Sequence, residues 1–328
     1  MEGRDPSLWR PAADRELLIQ RARLLQRIRR FFATREVLEV ETPVLSSAAA
    51  GEPHLHSFDT PYHGPGAPAS GRLFLHTSPE FPMKRLLAAG SGPIFQLCKV
   101  FRDGEAGRRH NPEFTLLEWY RPGLDHHALM DEVEALLRAV ALGDPPAPAE
   151  RLSYREAFQR YAGIDPFVAL EHLKVHAASY APPASDGESD IDYWRDLILV
   201  HEVEPQLGRE RPCFVHHYPS TQASLARLDP TDASVAERFE LYWRGLELAN
   251  GFNELADAAE QAQRFKVDRQ RRESLGLPPV PVDTRLLAAL ESGLPPCAGV
   301  ALGVDRLLMA LTGVDDIRRV LAFPIDRA

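Results

Sequence analysis

Two apolar runs, 95–102 and 113–121, enclose a loop crowded with Arg108, Arg109, His110 and Asn111, and Arg102 closes the first run. Both runs are rich in aromatic and β-favouring residues, and 103–112 is dense in Gly, charge, Asn and Pro, so the spacing predicts strand, long loop, strand. Side chains alternate faces along a strand, which puts Phe114, Leu116, Glu118 and Tyr120 on one surface. A guanidinium at a strand end can grip a phosphate through two parallel charged hydrogen bonds, and a neighbouring ring can stack on a purine. A hairpin with a solvated basic loop would explain a lone arginine equally well.

A second set of residues speaks of cations. Asn250-Gly251 is a strong two-residue hairpin signal, and with a strand over 239–249 it would put Glu247 directly opposite Glu254. Facing carboxylates repel, so such a pair belongs either in an exposed ribbon or around a cation. The apolar flanks favour the cation, with Mg²⁺ and a substrate ammonium both open. Ser78-Pro79-Glu80 has the composition of a helix start, with Gly90 as its stop; capping is a complete structural explanation for Ser78 and Glu80. In 299–307 a Gly-rich strand, which marks close approach of a ligand or another chain segment, runs into Asp305 and Arg306, and Arg306 would open the next helix.

The elements that must hold these residues are legible in outline. A helix over 16–36 has Leu18, Ala22, Leu25, Arg29 and Phe32 as its stripe. An alternating run over 37–45 contains Pro43 and so belongs at an edge or bulge. A loop covers 59–72. Helices are expected over 125–141, 257–275 and 283–291, and a strand over 213–219. The stretch 152–200 reads as helical with a flexible loop at 182–190, and shows no chemistry of its own.

The chain has 328 residues, 44% of them hydrophobic, enough for a large core. Its net charge of −9 argues against a general nucleic-acid binder. No apolar run reaches membrane-spanning length and the start has no signal-peptide core. Three cysteines without disulfide or metal spacing fit a reducing cytosol. The His54/His56 and His216/His217 pairs lack a partnered carboxylate pattern and read as ordinary histidines.

The segments Phe101-Arg102, Arg109-His110-Asn111-Pro112-Glu113-Phe114-Thr115 and Glu118 resemble motif 2 of the class II aminoacyl-tRNA synthetases in their lysyl version. The helix leading to Thr42-Pro43 resembles motif 1, which forms the homodimer interface. Gly299 to Leu307, with Arg319 to Pro324, resembles motif 3. The resemblance spans nearly everything after residue 15. It implies an α+β fold: the class II catalytic core, a mainly antiparallel sheet flanked by helices, over 15–328, with a short extension over 1–14 and a mostly helical insertion around 144–200.

The same resemblance implies the site. Arg102, Arg306 and Glu247 would be catalytic, and ATP would touch Asp103, Gly104, Glu105, His110, Asn111, Phe114, Leu248 and Gly303 as well. Ser78, Pro79, Glu80, Glu118, Tyr120, Asn250, Glu254 and Ala301 would meet the amino acid, and Glu247 with Glu254 would serve Mg²⁺. Two departures stand out. Motif 2 reads Arg102-Asp103-Gly104-Glu105, so either acid could contact ATP, and the central glycine of motif 3 is Ala301. No anticodon-reading barrel is expected before motif 1. The missing barrel, Ala301 and Glu118-Trp119-Tyr120 together resemble the elongation factor P lysine ligase family, which implies ATP, (R)-β-lysine and elongation factor P as partners, a homodimer, no anticodon recognition and no membrane. A truncated ligase for α-lysine and a non-catalytic regulatory paralogue are the alternatives.

Overall fold

Asp14 starts the first helix by accepting the Leu17 N–H at 2.8 Å, a cap worth about 1 kcal/mol. This helix, α1 (Arg15–Ala33), buries Leu17, Leu24, Ile28, Phe31 and Phe32. The expected stripe is therefore rotated: Ala22 and Arg29 are exposed. Phe32 fixes the rotation, its ring stacked on Phe95 at 4.5 Å and edge-on to Trp119 at 5.3 Å.

The computed structural model describes residues 9–181 and 189–328. Most of the expected extension and of the loop at 182–190 lies outside the described residues. The strands are β1 (Leu38–Glu39), β2 (Leu45–Ser46), β3 (Asp59–Pro61), β4 (Arg72–Leu75), β5 (Ile94–Phe101), β6 (Glu113–Pro122), β7 (Glu150–Ser153), β8 (Cys213–Pro219), β9 (Val235–Trp243), β10 (Leu246–Asn253) and β11 (Cys297–Gly303). The helices after α1 are α2 (Glu80–Ala88), α3 (His126–Val140), α4 (Tyr154–Tyr161), α5 (Leu170–Ala177), α6 (Ile191–Ile198), α7 (Ala258–Ser274), α8 (Thr284–Gly293) and α9 (Val304–Thr312).

Eight strands form one sheet in the order β1-β5-β6-β11-β10-β9-β8-β7, antiparallel except at its two outer pairs. This is the α+β class II core expected. Leucines and aromatics of α1, α3 and α9 cover one face, packing on Leu117, Trp119, Val300 and Leu302. The opposite face carries the polar residues, so burial of the first face exposes the second as a floor. The helices α4, α5 and α6 build their own core around Tyr154, Phe158, Trp194 and Ile198 against Val215 and Tyr242. Among the described residues no helix is long and apolar enough to cross a membrane.

Three readings need correction. The run 37–45 is not one strand: it breaks around Pro43 into β1 and β2, which belong to different sheets. The loop expected over 59–72 includes a short strand, β3. The hairpin turns at Arg244-Gly245, not at Asn250-Gly251. Trp243 pairs with Leu246, and Arg244 and Gly245 take φ of 53° and 72°, as a tight two-residue turn requires. Asn250 and Gly251 lie inside β10, so Glu247 near its start and Glu254 just past its end do not face each other across a turn. Gly251 is there for space: a Cβ would sit 2.4 Å from Cζ of Phe239.

Candidate active site

The middle strand of the floor is made of small residues. Along β11, Gly299 lies between Tyr120 and Phe252, and Ala301 between Glu118 and Asn250. With Gly303 they form a trough walled by larger side chains on β6 and β10. A Cβ on Gly299 would stand 2.3 Å from Cε1 of Tyr120 and 2.4 Å from Oε1 of Glu254. The glycine admits those two side chains, which answers why this strand tolerates it. The trough is part of a cleft of about 1060 Å³.

One end of the trough is acidic and buried. Ser78 donates to Oε2 of Glu118 and Tyr120 donates to Oε1, each at 2.7 Å. Ser78 Oγ also accepts the Glu80 N–H at 3.0 Å. The helix cap itself is Pro79, one residue later than expected, and Pro79 does not line the cleft. Lys84, 1% exposed, puts its ammonium 2.7 Å from Glu80 and 2.6 Å from Glu254. Burial, followed by the charge of Glu80, pushes Glu118 up to about 7. Burial pushes Glu254 up to about 8 against the pull of Lys84. Three carboxyl groups thus confront one ammonium; fully ionised they would leave two negative charges unmatched, and the upward shifts of Glu118 and Glu254 hold that charge as bound protons until cations arrive.

The other end is basic. Arg102 follows β5 directly and lies 5.1 Å from the Phe114 ring centre, with Glu105 at 3.7 Å. Arg306, in the first turn of α9, donates to the Arg109 carbonyl at 3.2 Å and the Glu247 carbonyl at 3.0 Å, and meets Nε2 of His110 at 2.6 Å. Partial burial and then the charges of Arg306, Arg102 and Arg109 hold His110 below the ordinary imidazole range. Asp305 locks the start of this helix: it is 1% exposed, accepts the Thr115 N–H at 2.7 Å and pairs with Arg21. Two guanidiniums thus sit at one end of the cleft, Arg306 held by backbone carbonyls and Arg102 beside the Phe114 ring and Glu105.

Of the two possible motif 2 acids, Glu105 lines the cleft, whereas Asp103 and Gly104 do not. The Asn111 side chain is already used, donating to the Glu113 carbonyl at 2.6 Å and accepting the Ile325 N–H at 3.0 Å. Leu248 turns its side chain into the core, leaving its backbone to the cleft. Glu247 opens into the cleft with its side chain 44% exposed, 3.5 Å from Arg306. Glu254 pairs instead with an ammonium, so the expectation of a metal shared by Glu247 and Glu254 narrows to Glu247.

Several residues in or behind the cleft wall are not singled out by the sequence. Lys84 sits four residues after Glu80, a spacing that places both on one helix face, and that was the available clue. Arg238 on β9 donates to Asn250 Oδ1 at 3.3 Å and pairs with Glu240, which also accepts the Tyr218 hydroxyl at 2.6 Å. The insertion, expected to be free of chemistry, contributes Asp192 and Asp196 to the cleft wall, and Glu204, just after it, joins them. Burial, helped by Asp192, pushes Asp196 up to about 6; burial, helped by Glu240, pushes Glu204 up to about 7.

A family model described as tRNA synthetases class II (D, K and N) matches residues 7–327. The chain is 52% identical over 324 residues to the elongation factor P–(R)-β-lysine ligase of Pseudoalteromonas translucida, covering 98% of this chain and 99% of that one. It is 51% identical over 326 residues to the protein of the same name from Klebsiella pneumoniae, covering 99% of each.

Proposed function

The chain belongs to the class II tRNA synthetase family (D, K and N), and from that premise we propose that it adenylates (R)-β-lysine with ATP and transfers it to a lysine ε-amino group of elongation factor P. The observation that carries this reading is the acid-rich end of the trough. Among the described residues Lys84 is the one ammonium facing Glu80, Glu118 and Glu254, and a substrate with two ammonium groups matches the two carboxylates left over once all three ionise.

The remaining residues fit the first step. ATP lies with its phosphates toward Arg102 and Arg306 and its base by Phe114. A carboxylate oxygen of the amino acid attacks the α-phosphorus; the new O–P bond forms as the bond to the bridging oxygen breaks, and pyrophosphate leaves. Arg102 takes up charge at the reacting phosphate, and Arg306 holds the departing end, both through preorganised position. Glu118, oriented by Ser78 and Tyr120, and Glu254 fix the amines so that the carboxylate points along the trough. In the second step the neutral ε-amine of the acceptor attacks the acyl carbon. The C–N bond forms, the bond to AMP breaks, and the amine proton passes to solvent.

Mg²⁺ is the metal that suits this end. Glu247 offers an oxygen donor in the open cleft, and hard cations bound by one or two carboxylates keep substrate phosphates in their shell. When bound, the ion neutralises phosphate charge, and Glu247 is the residue that would hold it.

Homodimerisation through α1 and the Pro43 segment is supported by Leu38, Val44 and Leu45, large apolar side chains left exposed close together in sequence. The cytosolic reading is supported by cysteines that are all free. The methyl of Ala301 projects into the trough between Glu118 and Asn250, where it biases which isomer fits by about 1–3 kcal/mol. ATP–pyrophosphate exchange with (R)-β-lysine and α-lysine in parallel tests the reading. Faster exchange with the β-isomer is expected; preference for α-lysine would replace it with the truncated-ligase alternative.

A further inference from the structure

Outside the cleft, four imidazoles converge from two distant stretches of chain. His126 and His127 open α3, and His216 and His217 lie in the middle of β8. His126, His127 and His217 each offer a ring nitrogen, and these three atoms lie within 4.8 Å of one another. The Nδ1 atoms of His216 and His217 are 3.0 Å apart. The convergence has a structural cause: the β8–β9 register shifts between His216 and Tyr218, and His217 takes φ of 58°. A left-handed conformation is costly for a residue other than glycine, and this one turns consecutive strand residues toward the same helix end.

His126 supplies an independent observation. It is 3% exposed, and among the described residues neither ring nitrogen has a hydrogen-bond partner. Buried polar groups are almost always bonded, so an imidazole orphaned at both nitrogens calls for a ligand. Nε2 of His217 lies 3.5 Å from Oδ2 of Asp229, the carboxylate partner that typically orients a metal-bound histidine. His127 is exposed and gives an ion a way in.

We propose that His126, His127 and His217 form a site for a borderline divalent transition-metal ion, Zn²⁺ in the first instance, that clips the start of α3 to β8. Zn–N bonds of roughly 2.0–2.1 Å at tetrahedral angles put ligand nitrogens ~3.4 Å apart, within reach of side-chain rotation from the observed spacing. Three imidazoles leave the fourth position to water or to His216. Nitrogen donors disfavour Mg²⁺, so the site is chemically separate from the one that accompanies ATP. Its consequence for the enzyme passes through β8, because Tyr218 follows His217 directly and hydrogen-bonds Glu240 in the cleft wall.

The test uses the full chain without a polyhistidine tag, stripped with EDTA and titrated with ZnCl₂ in Mg²⁺-containing buffer by calorimetry. One Zn²⁺ per chain is expected, with a higher melting temperature on binding. His127→Gln, at an exposed position, and His217→Asn, which tolerates the left-handed backbone, each abolish stoichiometric uptake and the thermal shift. Asp229→Asn weakens binding by about 10–100-fold. Adenylation by His127→Gln in Mg²⁺ stays at the level of the unaltered protein. Absence of stoichiometric uptake, or uptake unchanged in both histidine variants, overturns the assignment.

Discussion

Gly299→Ala is the sharpest probe of the trough, because the added methyl has nowhere to go. Its carbon would lie 2.3 Å from Cε1 of Tyr120 and 2.4 Å from Oε1 of Glu254, more than 1 Å inside ordinary contact. Either the Tyr120 ring retreats, drawing its hydroxyl off Glu118 at 2.7 Å, or Glu254 retreats from Lys84 at 2.6 Å. A displacement of that size forfeits one hydrogen bond to a charged group, about 1.5–3 kcal/mol, or roughly 10–150-fold in kcat/KM for the amino acid. Overpacking adds a stability loss of about 1–3 kcal/mol, which lowers Tm by several degrees. Pyrophosphate exchange at saturating ATP, with the amino acid varied, reads the first effect, and calorimetry the second. The KM for ATP should hold, since Arg102, Phe114 and Arg306 lie at the other end. A variant that uses (R)-β-lysine as well as the unaltered enzyme would refute the placement of the amines beside Gly299.

The raised carboxyl groups give a pH signature. Glu118 at about 7 and Glu254 at about 8 bind protons in the folded state that the unfolded chain has released, so ligand-free stability falls as pH rises from about 4.5 toward 8. A dicationic ligand favours the ionised forms, so its binding tightens and releases protons over the same window; calorimetry in buffers of different ionisation enthalpy would detect this, and proton uptake on binding would contradict it. Replacing Arg306 by Ala should lower the exchange rate by about 10²–10³-fold, as loss of one preorganised charge-stabilising donor does elsewhere; a loss under tenfold would remove Arg306 from the phosphate end. Gly251→Ala should cost about 1–3 kcal/mol through the clash with Phe239, readable by urea unfolding, whereas a true turn at Asn250-Gly251 would leave that ring untouched.

How much of this was legible in the sequence depended on whether the relevant signal was local. The strands β5 and β6 and the shared face of Phe114, Leu116, Glu118 and Tyr120 follow from alternation alone, and each lies where alternation puts it. Asn250-Gly251 misled because a glycine needed for packing against Phe239 is indistinguishable in sequence from one needed for a positive φ. The real turn, Arg244-Gly245, has an arginine where Asn or Asp is usual. A lysine on a helix reads as solvent-facing; the packing of α2 against α8 and the reach of Lys84 to Glu254 bury it. Asp192 and Glu204 escaped notice because helical periodicity says nothing about which distant sheet a helix will overhang. His216 and His217 read as an ordinary pair and His126 and His127 carry no sequence signal, because α3 and β8 meet only in three dimensions.

The most direct measurement of the central claim is the mass of the acceptor. Elongation factor P incubated with the enzyme, ATP, Mg²⁺ and (R)-β-lysine should gain one β-lysyl group on a lysine side chain, in amounts that rise with enzyme and vanish without ATP. An acceptor of unchanged mass in a reaction where the enzyme is turning over pyrophosphate would contradict it.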